Sequence, residues 1–251
     1  GTPPPAPDAL IGAARALTEL QSETRGMAVA ADILAGYAAL DDPEKRIFFE
    51  GLRDGFDPDH AALARAAKVW LDKGSPADLE ALSRLAEPPR QELLRRLNMA
   101  QGGTVRLVGM RADLLRLTGR DRTFARVDAD FRHLLRSWFN RGFLQLLRID
   151  WHSPALLLEK LIEYEAVHEI RDFRDLQRRV LPVDRRCYAY MHPAMPDEPL
   201  IFVEVALTRG LPDSVQALID ESRAPLGPED ADTAVFYSIS NCQSGLAGIS
   251  F

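Results

Sequence analysis

The stretch that decides the reading of this chain is Phe236-Tyr237-Ser238-Ile239-Ser240-Asn241-Cys242-Gln243-Ser244-Gly245-Leu246-Ala247-Gly248-Ile249-Ser250-Phe251. Residues 234–240 alternate, with Val235, Tyr237 and Ile239 on one face and Phe236, Ser238 and Ser240 on the other, which predicts a strand. After Cys242 the side chains become small. A loop of small residues lets main-chain N–H groups approach a phosphate, and the N-terminus of a following helix adds its dipole. An ordinary turn after a buried strand fits the same residues. Ser238 has two readings as well: its hydroxyl either meets a ligand carbonyl or carboxylate, or bonds within the sheet. Cys242 has no base beside it in the sequence and reads as an inert small residue.

Working upstream, Cys187-Tyr188-Ala189-Tyr190-Met191 is short and strand-like, and 200–207 is an apolar run interrupted only by Glu204. A helix is expected over 213–221 and a loop over 224–232. Three strands and one helix make the beginning of an α+β domain. They leave a long apolar strand with an uncovered face or edge, so the domain is expected to continue beyond Phe251.

Residues 8–170 have a different period. Leu10, Ile11, Ala14 and Leu17 recur at helical spacing, as do Leu63, Ala67, Trp70 and Leu71 after an Asp57-Pro58 start. Phe131, Leu134, Leu135, Trp138 and Phe139 form the clearest stripe. Ser153-Pro154 opens another helix, with Ser153 as its expected N-cap. Breaks fall at Asp41-Asp42-Pro43, Gly74-Ser75-Pro76, Pro88-Pro89 and Gly102-Gly103. No fixed repeat period appears, which argues against a solenoid. The expectation is an all-helical bundle domain over 1–170 followed by an α+β domain over 171–251.

With 251 residues, 46% hydrophobic and 27% charged, the chain can bury a sizeable core. A net charge of −6 gives no electrostatic footprint for nucleic acid. No stretch of about 18 apolar residues is present, so no membrane helix is expected. Two cysteines and no basic-plus-apolar leader suit a reducing, cytoplasmic setting. The Gly1-Thr2-Pro3-Pro4-Pro5 start reads as a cloning remnant or a trimmed end.

No Gly-x-Ser-x-Gly elbow or Gly-x-x-x-x-Gly-Lys loop occurs, which sets aside the usual hydrolase and nucleotide-triphosphate chemistries. His60 and His133 lie in helical segments, His152 at a helix start, and His192 before Pro193. His168, with Glu165 or Glu169, has the look of a base and its orienter, an arrangement that is also commonplace on helices. No histidine pair has zinc-site spacing, so no metal is expected.

The usual CoA-pyrophosphate loop of acyl-CoA N-acetyltransferase folds is Gln/Arg-x-x-Gly-x-Gly/Ala. Gly245-Leu246-Ala247-Gly248-Ile249-Ser250 matches it if Gly245 takes the Gln/Arg place and Ser250 the last small one. A wider set is more specific: Trp151-His152-Ser153-Pro154, Glu165-Ala166-Val167-His168, Asp184-Arg185-Arg186-Cys187-Tyr188, 192–200, Val205-Ala206-Leu207-Thr208, Phe236-Tyr237-Ser238-Ile239-Ser240 and Gln243-x-Gly245-Leu246-x-Gly248. In this order, over residues 150–251, the set closely resembles malonyl-CoA decarboxylase.

The resemblance implies a helical domain that mediates oligomer contacts, then a catalytic domain of N-acetyltransferase-like fold that is incomplete in this chain. It implies that Ala247, Gly248, Ile249, Ser250 and Phe251 bind CoA phosphates, with Gly245 shaping the approach, and that Ser238 lies near the substrate. Ser250 stands where some relatives carry a glutamate. The family's catalytic serine and histidine lie downstream of the loop, so no catalytic residue is expected within these 251. Malonyl-CoA is the implied substrate, a homo-oligomer (dimer or tetramer) the implied assembly, and no metal or separate cofactor is implied.

Two other functions fit the same residues. An acyl-CoA-dependent N-acetyltransferase needs an amine acceptor. The stretch from residue 166 onward, with 8 Arg, no Lys and 13 Asp/Glu, favours a cationic one. A non-enzymatic oligomerisation module would self-associate without any CoA-dependent rise in melting temperature.

Overall fold

The structure, a computed structural model, describes residues 6–165, 167–220 and 222–250. The chain forms two compact units. One comprises the described residues up to Trp138 together with Gly245–Ser250; the other is Phe139–Ser244.

The first unit is helical: α1 (Pro7–Glu19), α2 (Glu23–Ala38), α3 (Asp42–Gly55), α4 (His60–Lys73), α5 (Pro76–Ala86), α6 (Pro89–Asn98), α7 (Gly103–Thr118) and α8 (Ala125–Trp138). Local chemistry sets the ends. Asp41 and Glu44 form a reciprocal capping box on α3, and Ser22 and Ser75 cap α2 and α5. Gly74 closes α4 in the left-handed region at φ 66°. The expected breaks at 41–43, 74–76, 88–89 and 102–103 are all helix boundaries.

The start of α4 is a correction. Asp59, not Asp57, caps it, accepting from the N–H of Ala61 and Ala62. The Asp57 carboxylate is taken by two arginines, Arg90 and Arg126.

Leu17, Ile33, Phe48, Phe49, Leu52, Leu93, Leu107, Val127 and Phe131 are buried in the helical core. A fully buried Arg90 joins it, donating to Asp130 at 2.7 Å, to Asp57 at 2.8 Å and to the Leu52 carbonyl at 2.7 Å. Helices α4 and α5 bury no residue at all.

The second unit holds β1 (Gln145–Ile149), α9 (Ala155–Tyr164), α10 (Phe173–Val180), β2 (Arg185–Met191), β3 (Ile201–Thr208), α11 (Val215–Ile219) and β4 (Thr233–Asn241). The strands form one antiparallel sheet in the order β1-β2-β3-β4. The fold is therefore helical plus α+β, as the periodicities predict. Leu158, Leu161, Ile170, Leu176, Val180, Cys187, Ala189 and Phe202 make the core of this unit. That core explains why the units divide at Trp138/Phe139 rather than near 170: α9 and α10 pack on the sheet.

Strand β1 was not anticipated. Only Ile149 of its five residues is buried, so it lacks the burial pattern that betrays a strand. Ser153 is not the cap of α9 either. Pro154 holds that place, and the Ser153 hydroxyl accepts from the Asp150 N–H at 3.0 Å. Helix α11 is shorter than expected, five residues capped by Ser214; Glu221, in the expected helix, lies outside the described residues.

The faces of β4 also differ from simple alternation. Glu204 pairs with Ser238 but Val205 pairs with Phe236, so Tyr237 is an extra residue on β4. Such a bulge reverses the side-chain parity. Tyr237, Ser238 and Ser240 are buried, while Phe236 and Ile239 are 65% and 58% exposed. The expected partners Tyr237 and Ile239 thus part company, and two serines are turned inward in place of an isoleucine.

Candidate functional site

In the second unit, the bulge delivers Ser238 and Ser240 to the carboxylate of Glu165, at the C-terminal cap of α9. Ser238 Oγ lies 2.8 and 2.9 Å from the two Glu165 oxygens, and Ser240 Oγ lies 2.9 Å from Oε2. The main-chain N–H groups of Val167 and His168 donate to Oε1 at 2.9 and 2.8 Å. A carboxylate only accepts, so both serines spend their single proton on it. Ser238 is left with lone pairs to offer. In this arrangement its proton is directed at Glu165. His168 meets Glu165 through its main chain, so the pair is not a ring base with its orienter in this arrangement.

Deeper in the same unit, Glu204 is fully buried 3.3 Å from Arg179. Burial pushes its carboxyl up to about 7. The Glu165 and Asp175 charges add to the rise, and Arg179 and Arg185 oppose it. Its Oε1 has no hydrogen-bond partner among the described residues. Cys242 is buried and its thiol is pushed up to about 12 by desolvation, so it is no nucleophile. Gln243 donates to the Pro199 carbonyl at 2.9 Å.

The residues after β4 form the second part, Gly245–Ser250 of the helical unit. Gly245 is buried against α7, where any Cβ would collide with the Val108 carbonyl. That close approach is why the position is a glycine. Ile249 N–H donates to the Leu246 carbonyl at 3.0 Å, closing a turn with Ala247 and Gly248 at its centre. Gly248 has φ 72°, and no described non-glycine residue has positive φ, which makes this a type II turn. Ala247, Gly248 and Ser250 are exposed, and Ile249 is buried. Phe251 lies outside the described residues.

Sequence reasoning singled out Ser238 and the loop but missed their partners. Glu165 is 73 residues away from Ser238 in the chain and carries no local signal of the contact. Arg111, whose guanidinium donates to the Gly245 and Ala247 carbonyls, does carry one: it sits between Leu107 and Leu114 on the buried stripe of α7. No cluster of three or more His, Cys, Asp or Glu is arranged for a metal among the described residues.

A helical bundle joined to a small antiparallel sheet, with its last strand running into a glycine turn, defines a two-part helical and α+β protein. Comparison with known proteins narrows this. The family model of the malonyl-CoA decarboxylase N-terminal domain matches residues 56–139, and that of the C-terminal domain matches residues 142–251. The crystal structure of malonyl-CoA decarboxylase from Rhodopseudomonas palustris superposes with a TM-score of 0.94 at 51% identity, over 98% of this chain and 60% of that one. The Agrobacterium vitis structure gives 0.92 at 49% identity, over 97% and 59%. The mitochondrial malonyl-CoA decarboxylase of Mus musculus is 34% identical over 235 residues, covering 87% of this chain and 47% of that protein. The chain belongs to the malonyl-CoA decarboxylase family. It spans about half the length of the curated relatives it matches.

Proposed function

We propose that the protein converts malonyl-CoA to acetyl-CoA and carbon dioxide. The observation that carries this is the superposition on the Rhodopseudomonas palustris decarboxylase over nearly the whole chain at 51% identity.

Loss of CO₂ leaves a thioester enolate. The site must hold CoA, stabilise the charge growing on the thioester oxygen, and protonate carbon. The thioester is itself the electron sink, so no further cofactor is called for. In this reading Gly245, Ala247, Gly248, Ile249 and Ser250 form the CoA-phosphate turn, with Phe251 following them. Ser238 faces the substrate as an acceptor fixed by Glu165. Because its proton is committed, the donor to the enolate and the acid that protonates carbon are assigned to the family's serine and histidine, downstream of the turn. Ser250 replaces an acidic residue of some relatives, so no carboxylate role is given to that position.

We also propose self-association through α4 and α5, supported by an apolar surface that finds no core in one subunit. Leu71 is 75% exposed, and Val69 and Leu79 are exposed as well. Both cysteines are free, which supports a reducing compartment such as the cytoplasm. Among the described residues no helix is long and apolar enough to cross a membrane.

The test is to incubate the whole protein with malonyl-CoA and no amine acceptor, following acetyl-CoA by mass spectrometry. Turnover without an acceptor supports a decarboxylase and excludes an obligatory acetyltransferase. Transfer of the acyl group to an added amine with release of free CoA, and no acetyl-CoA, overturns the proposal.

A further inference from the structure

The turn of small residues does not hold itself. Arg111, on α7, is 2% exposed and reaches the turn from within the helical unit. Its Nη1 donates to the Gly245 carbonyl at 2.6 Å and to the Ala247 carbonyl at 2.9 Å. Its Nε donates to Asp128 of α8 at 2.8 Å, which fixes the guanidinium plane. Arg136, also on α8, adds a long contact of 3.5 Å to the Gly248 carbonyl.

The consequence lies in the middle peptide of the turn. Type I and type II turns differ by a flip of the unit that joins Ala247 to Gly248. In a trans peptide the C=O of one residue and the N–H of the next point to opposite sides. Holding the Ala247 carbonyl on Arg111 therefore turns the Gly248 N–H away from the arginine, at a position that is exposed. An N–H fixed outward on a glycine with no Cβ is what a phosphate oxygen needs. A guanidinium forming two bonds to this loop and one to a carboxylate has a geometry that a flexible ammonium cannot copy.

We propose that Arg111, oriented by Asp128, is the positioning residue of the CoA-phosphate turn: it locks the Ala247–Gly248 peptide in the orientation that presents the Gly248 N–H to phosphate. This rests on the CoA reading of the turn given above. Arg111 touches no substrate; it acts through the loop. Helices α7 and α8 thereby set the affinity of a loop that follows the last strand of the other unit.

The experiment is calorimetric titration of the intact protein with CoA and with pantetheine, which lacks the phosphates, well below the melting temperature of each variant. Arg111→Lys, Arg111→Ala and Asp128→Asn are compared with wild type and with Arg116→Ala, an exposed arginine of the same helix. CoA binding is expected to weaken about tenfold in Arg111→Lys and more in Arg111→Ala, with Asp128→Asn moving the same way. Pantetheine binding and Arg116→Ala should stay within about twofold of wild type. Should Arg111→Ala fail to fold, Arg111→Lys and Asp128→Asn decide. An unchanged CoA affinity in folded Arg111→Lys and Asp128→Asn, beside a wild type that binds, overturns the positioning role and leaves the CoA reading intact. An equal loss for CoA and pantetheine also overturns it, since a general loosening would do that. A wild type that binds no CoA overturns both.

Discussion

Glu204 is the residue whose surroundings disagree most with its chemistry. It is an acid with no exposure, pushed up to about 7 by burial despite Arg179 at 3.3 Å. A folded value above the unfolded one means that the native state takes up the proton. The stabilisation is full below the ordinary carboxylate range and is lost as pH rises through about 7. Glu204→Gln, which mimics the protonated acid, should flatten that decline and gain about 2 kcal/mol at pH 8 with little change at pH 5. Urea melts of both proteins across that interval check it, and parallel declines would contradict it. Glu165 makes the opposite case, a carboxylate saturated with donors. Glu165→Ala strands two buried hydroxyls and two N–H groups, and should cost about 3 kcal/mol or more by chemical denaturation. Glu204 stands out in the sequence as the one charge in an apolar run. Glu165 is noticed in the sequence only beside His168, because its long-range contact to a serine leaves no local pattern.

At the scale of elements, helix ends were legible at Asp41-Asp42-Pro43 and Gly74-Ser75-Pro76, where the capping residue and the proline are adjacent, but the same signal misplaced the caps at Asp57-Pro58 and Ser153-Pro154. Legibility failed where pairing decides the outcome. β1 is a strand because it bonds to β2, not because of its own alternation. The inward turn of Ser238 depends on the bulge opposite Glu204 and Val205, which alternation alone cannot reveal. Charged residues on buried stripes were the overlooked signal. Arg90 lies one turn before Leu93 and Leu94 of α6, and it ties that helix to α3 through Leu52, to α8 through Asp130 and to Asp57 of the connection after α3. Removing one partner leaves a buried charge without compensation. Asp130→Ala should therefore destabilise the helical unit by about 3 kcal/mol, read as a lower urea midpoint. A midpoint within error of wild type would mean that Asp57 and the Leu52 carbonyl satisfy Arg90 alone.

At the scale of the whole molecule, α4 and α5 pack on each other and neither has a fully buried residue. Leu71→Glu places a charge in the middle of that surface. It should shift the protein toward a smaller species by light scattering at micromolar concentration, with the melting temperature of the isolated chain little changed. An oligomer of unaltered size would remove α4 from the interface. The two halves of the fold, helical then α+β, were readable from the change in hydrophobic period near residue 180. The unit boundary was not, since helices that pack on a sheet look in sequence like helices that pack on one another. The proposed chemistry is a carbanion equivalent formed on a CoA thioester and then protonated. It is tested most directly by running the whole protein on malonyl-CoA labelled in its free carboxyl carbon, in deuterium oxide, with no acceptor present. Labelled carbon dioxide together with acetyl-CoA carrying a solvent deuterium in its methyl group is the expected result. Malonyl-CoA recovered intact, or its acyl group found on another molecule, would contradict it.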